Sequence, residues 1–138
     1  MAEDPLEFFR HNHRAVLATQ RRDGSIQMSP IVQAVGNDGR ILISTTAPTA
    51  KVRNIKRDPR VSICALNDGF FGSWAQVDGT ASIIELPAAM ALLRFIYAQI
   101  AGEHPNWEEF ERDMVAQVRV VVAISPAHRR PSSPASTV

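Results

Sequence analysis

The sequence predicts a mainly β protein, a small and mostly antiparallel barrel or curled sheet with short helices around it. Two patterns carry this. Six runs of strand length, rich in Val, Ile and Thr, recur along the chain, and Gly-containing turns too short for anything but antiparallel neighbours join the first three. The helical segments are short and grouped toward one end. A third observation is size: 138 residues make one ordinary domain, which buries roughly 70% of its unfolded surface and needs no disulfide to hold a core.

Taken in order, Pro5 to His11 reads as a short helix, with Pro5 in a first-turn position and Leu6, Phe8 and Phe9 available for packing. "RAVLATQ" is the first strand, and "RRDGS" is a turn whose Asp23-Gly24 pair favours a tight hairpin. "IQMSPIVQAV" is the second strand, "GNDG" the next turn and "RILISTT" the third strand. Ala47 to Arg57 is expected as a helix capped by Thr45 or Thr46, with Pro48 in its first turn and Asp58-Pro59 as its stop. "RVSICAL" is the fourth strand, and "WAQVDGTASIIE" the fifth, with a bend or bulge at Gly79. "LPAAMALLRFIYAQIAG" is a helix begun by Pro87 and ended by Gly102. "NWEEFERDMV" is a shorter acidic helix and "VRVVVAIS" the closing strand. The domain is expected over 1–126, and the Pro- and Ser-rich remainder, 127–138, is expected to be mobile.

Fifteen Lys and Arg against fourteen Asp and Glu give a net charge of +1, so no global field gathers nucleic acid or anionic membrane. No run approaches the ~20 apolar residues of a membrane span, and nothing resembles a secretion signal, which makes cytoplasmic the expectation. The single cysteine, Cys64, is expected to be a buried strand residue. The glycine-rich dinucleotide and Walker-type phosphate motifs are missing, as is a nucleophile elbow. His11 and His13 form only a partial pair, so no metal site is expected.

The segment "TAPTAKVRNIKRDPR" puts five cations, Lys51, Arg53, Lys56, Arg57 and Arg60, within ten residues. A helix N-terminus attracts anions, and with the hydroxyls of Ser44, Thr45 and Thr46 before it and Lys51 in its first turn, this one makes a competent phosphate site. Helical rotation gives Val52 and Ile55 the buried stripe, sets Lys51 and Asn54 beside it, and turns Arg53 and Arg57 outward. On spacing alone, a solvated charged helix explains the same residues. In "IQMSPIV", alternation puts Ile26, Met28 and Pro30 on one face and Gln27, Ser29 and Ile31 on the other. Pro30 there marks an ordinary edge strand or room for a planar ligand. Trp74 is either core or the wall of an aromatic pocket.

Together, "STTAPTAKVRNIKRDPRVSI", "WAQVDGTA" and "YAQIAGEHPNWEEFERDMV" with "VRVVVAISP" resemble the pyridoxamine-5'-phosphate-oxidase-like split-barrel family, and within it the actinobacterial branch of flavin/deazaflavin oxidoreductases that use coenzyme F420. The resemblance spans about Phe8 to Pro126. It implies a six-stranded antiparallel split β-barrel, the FMN-binding type, in a homodimer with cofactor sites at the subunit interface. It further implies that Met28, Ser29, Pro30 and Ile31 line the cofactor ring, that Ser44, Thr45 and Thr46 face the ribityl and phosphate groups, and that Lys51 and Asn54 hold the phosphate. Trp74 matches an aromatic position near the site, and Arg53, Lys56 and Arg57 are candidates for the oligoglutamate tail. The implied activity is hydride transfer from reduced F420 to an unsaturated or conjugated small molecule, with no catalytic side chain singled out. An FMN-dependent oxidoreductase on the same barrel and a non-catalytic F420-binding or storage protein are the alternatives. Two features depart from relatives: Pro30 stands where Asn often follows the strand-two serine, and the ending lacks an aromatic-Gly finish.

Overall fold

The computed structural model describes residues 4–130. Six strands, β1 (Arg14–Gln20), β2 (Ile26–Val35), β3 (Ile41–Thr46), β4 (Arg60–Leu66), β5 (Trp74–Ile84) and β6 (Arg119–Arg130), close a barrel in the order β1-β2-β3-β6-β5-β4, every pairing antiparallel. Four short helices surround it: α1 (Pro5–His11), α2 (Ala50–Arg57), α3 (Met90–Ala101) and α4 (Trp107–Ala116). The expected meander of the first three strands is present, and β4 closes the barrel against β1 over Ala15–Ala18.

Alternation along the strands sends one set of apolar side chains inward, among them Leu17, Ile41, Ile43, Ile63, Val77 and Ile124. The two ends of this interior are plugged by helices. Leu6 and Phe9 of α1 enter one end and Ile55 of α2 packs against the other, each contributing about 1.5–3 kcal/mol by burial. The helices α3 and α4 lie outside, where Leu93, Ile96 and Phe110 cover Ala34, Leu42, Val121 and Ala123. Among the described residues, α3 and α4 do not reach the outward side chains of β2 from Ile26 to Val32 or those of β1 and β4.

The structure moves several expected boundaries. The helix expected from Ala47 starts at Ala50, because Thr49 keeps extended backbone (φ −74°, ψ 156°) and donates both its N–H and its hydroxyl to Thr46 O. Pro48 therefore sits in the turn and Thr49, rather than Thr45 or Thr46, is the N-cap. Likewise Pro87 lies in a turn before α3, which begins at Met90, while Gly102 ends it as expected at φ 84°. The bulge does fall at Gly79, where the β5–β6 register shifts between Asp78 and Gly79. Strand β6 runs on to Arg130, pairing with Gln76 of β5, so 127–130 extend the sheet; 131–138 lie outside the described residues. Cys64 is half-buried on the outward side of β4 instead of buried within, and that burial pushes its thiol pKa up.

Candidate functional site

Strands β2 and β3 pair only over Gln33–Val35 and Ile41–Ile43. Below that point β2 continues alone beside β1 from Ile26 to Val32, and β3 continues beside β6 from Ser44 to Thr46. The barrel is split there, and the two lips of the split are the two stretches singled out in the sequence. Pro30 lies on the β2 lip opposite Val16 of β1, in the edge position a residue without an N–H tolerates.

Alternation divides each stretch between two sides. Met28 and Pro30 face outward and are exposed, Met28 at 70%, whereas Ser29 and Ile31 turn toward the interior side, Ile31 packing against the core. On β3, Ser44 and Thr46 share the outward side with Leu42, while Thr45 is buried beside the Ile41 and Ile43 side. The outward lining is thus an apolar lip, Met28 and Pro30, facing a hydroxyl lip, Ser44 and Thr46.

At the end of the hydroxyl lip stands α2. Its first bond within the chain runs from Arg53 N to Thr49 O at 3.2 Å, and no side chain caps the amides ahead of it, since the Thr49 hydroxyl is turned back to Thr46 O. These amides are the donors a helix offers an anion. By rotation Lys51 falls between Asn54, which touches Gln27 of β2, and Ile55, which enters the core, and the residue is half-buried. Among the described residues Lys51 has no hydrogen bond or ion pair. Arg53 is exposed and donates to Pro48 O at 2.7 Å.

Asn54 sits differently from expectation. It is buried and its amide nitrogen donates to Thr19 Oγ1 (3.1 Å) and Gln27 Oε1 (2.9 Å), while its Oδ1 accepts from Arg57 Nη2 (3.0 Å). All its polar atoms are engaged within the fold. Arg57 also donates to Gln20 O at 2.7 Å, which turns it toward the β1–β2 hairpin. There an open cleft of about 540 Å³ lies between Arg21, Arg22 and Gln27 on one side and Ala50, Asn54 and Arg57 on the other. Sequence reasoning missed Arg21, Arg22, Gln27 and Thr19. The arginine doublet in "RRDGS" was the available signal, but only the fold brings it opposite α2.

Trp74 is not near the lips in the same subunit. It pairs with Leu66 at the start of β5, three strands from β2 in either direction around the closed barrel. It is half-exposed on the outward side of β5, next to a loop whose Phe70 and Phe71 are exposed and stacked edge to face at 4.8 Å. No three His, Cys, Asp or Glu side chains converge as a metal site among the described residues, and no described helix is long and apolar enough to cross a membrane.

This barrel is shared with known proteins. The chain belongs to the pyridoxamine 5'-phosphate oxidase family, whose pattern matches residues 1–132; the family includes oxidoreductases, and its fold binds flavins. Among solved structures, a conserved hypothetical protein of Mycobacterium tuberculosis, Rv2991, is 26% identical, superposes with a TM-score of 0.76 and aligns over 94% of this chain and 82% of its own. A protein named F420 reductase is 20% identical, with a TM-score of 0.70 over 94% of this chain and 98% of its own. General Stress Protein 26 of Bacillus anthracis is 16% identical, with a TM-score of 0.66 over 94% and 92%.

Proposed function

We propose that the protein is an F420-dependent oxidoreductase that reduces an unsaturated or conjugated organic small molecule. The observation that carries this reading is the split itself: an apolar lip, a hydroxyl lip and, at their end, an uncapped helix start with an unpartnered lysine. That donor set suits a flat apolar ring joined by a polyol to a phosphate. The F420 reductase among the similar structures agrees with it. When bound, the reduced deazaflavin supplies the hydride.

The chain's own part is binding and orientation. Met28 and Pro30 offer the ring an apolar floor, Ser44 and Thr46 offer hydroxyls to the polyol, and Lys51 with the first amides of α2 anchors the phosphate. Such anchoring fixes a reacting carbon by binding energy drawn from remote groups. Among the described residues no carboxylic acid or imidazole lies on the lips, residues 26–32 and 44–46, which leaves solvent or a cation near the pocket to complete the reduction. The cations beyond the first phosphate, Arg53 and Arg57, favour F420 over FMN, because only F420 continues into a chain of carboxylates.

The subunit works as a homodimer. Ile26, Met28 and Val32 are large apolar side chains 46%, 70% and 44% exposed on a strand face that no described helix covers, and a second copy seated there shelters the ring and brings Trp74 of the other subunit to it.

Equilibrium titration of the full chain with F420 and with FMN tests the assignment. F420 is expected to bind more tightly, and Lys51→Ala to weaken it roughly tenfold or more, since charge-assisted contacts contribute about 1.5–3 kcal/mol. Tighter binding of FMN, or a Lys51→Ala affinity within about twofold of the parent, contradicts it.

A further inference from the structure

We infer that Asn54 is a positioning residue: it aims Arg57 across the cleft at Arg21 and Arg22, and these three arginines form a seat for the extended polyanionic end of the ligand. The inference rests on the F420 reading above and deepens it by naming which residues take the tail and how they are held.

A guanidinium only donates, so the Asn54 atom beside Arg57 is its oxygen, and the amide nitrogen must face Thr19 and Gln27. Thr19 in turn donates to Gln27 Oε1 at 3.4 Å. Thr19 and Asn54 are 1% and 7% exposed, and in such a dry network each partner fixes the next. Arg57 is gripped through Nη2 alone, by Asn54 Oδ1 and Gln20 O, which leaves Nε and Nη1 for a ligand.

The opposite wall repeats the pattern. Arg21 uses Nη1 to hold Ser25 Oγ and Ile26 O, and Arg22 makes no hydrogen bond or ion pair among the described residues. The five ion pairs of the described residues all lie elsewhere, on Arg10, Arg14, Arg40, Arg60 and Arg94. Asp23, the one carboxylate on the cleft, is occupied by Ser25 N and Oγ at 2.9 and 2.6 Å. Three arginines from two elements therefore face one gap with an excess of two positive charges, an arrangement that repels itself until an anion bridges it. Arginine forks suit carboxylates and phosphates alike. Arg53, mid-helix and tied to Pro48 O, does not line this cleft and is left to meet the chain of carboxylates outside it.

The test compares F420 bearing its glutamates with F420 lacking them, by equilibrium titration of the full chain at low and high salt, alongside γ-linked oligoglutamate and tripolyphosphate as separate probes. The parent is expected to prefer the glutamylated form roughly tenfold or more, with the preference shrinking as salt rises. Arg57→Gln, Arg22→Gln and Asn54→Leu are each expected to erase much of that preference while leaving the shorter form within about twofold. Because Arg57 and Arg22 are exposed, their variants report even where Asn54→Leu fails to fold. Equal losses for both forms in Asn54→Leu, or no preference in the parent, overturn the inference and leave the F420 reading intact. Binding of neither form contradicts the F420 reading, and the two simple probes then decide the cleft: salt-sensitive binding of either one that Arg57→Gln abolishes supports the seat and names its chemistry, and binding of neither refutes it.

Discussion

At the scale of single residues, several polar side chains earn their burial by bonding backbone groups that no strand satisfies. Gln33 is fully buried, and its Nε2 donates to Phe9 O (3.0 Å) and Asn12 O (2.9 Å), so it ties the end of α1 to β2. Gln33→Leu strands both carbonyls, and a loss of about 1–3 kcal/mol in urea unfolding is expected. Asp58, just past α2, shows a charge effect. Its carboxyl is held down to about 2, first by the Arg60 side-chain hydrogen bond and then by the Arg60 amide. A depressed carboxyl pKa stabilises the fold above its ordinary value of 3.8 and loses that contribution as pH falls through about 2. An NMR titration is expected to find the midpoint near 2 in the parent and closer to 3.8 in Arg60→Gln; an unchanged midpoint contradicts the attribution.

At the scale of elements, the strands were legible because alternation is local. The runs "RAVLATQ", "IQMSPIVQAV" and "RVSICAL" match β1, β2 and β4 residue for residue. Helix starts were less so, because Pro48 and Pro87 fit a first turn or the turn before it equally well, and a tertiary hydrogen bond such as Thr49 to Thr46 decides. The bulge at Gly79 was legible from the glycine, but its reason was not. A Cβ there would overlap the Ser125 carbonyl of β6, so Gly79→Ala is expected to destabilise the barrel by about 1–3 kcal/mol, read as a lowered midpoint of chemical unfolding. Asn54 shows the limit of periodicity from the other side. Its angle beside the buried stripe was right, yet only the fold reveals that Thr19 and Gln27 meet it there.

At the scale of the whole molecule, closure made the split. The split exists because β2 and β3 share only three register pairs before diverging toward different neighbours, and no local pattern encodes where two strands part. Both stretches singled out in the sequence border the split, but which of their residues face outward depends on the closed barrel, and so does the placing of Arg22 and Arg57 on one cleft. The exposed apolar face of β2 belongs to this scale too. On the proposed homodimer, Met28→Glu is expected to shift sedimentation from dimer to monomer by placing a charge in the proposed contact, and a parent that already sediments as a monomer contradicts the dimer.

The central claim, that the split between β2 and β3 holds the deazaflavin ring, is tested most directly by methionine-methyl NMR during a titration with F420. Met28 stands exposed on the lip, whereas Met90 of α3 and Met114 of α4 are partly buried against the outer cluster. A ring-induced shift of the Met28 methyl, with Met90 and Met114 unmoved, is the expected result. Saturable F420 binding that leaves the Met28 methyl in place would contradict the account.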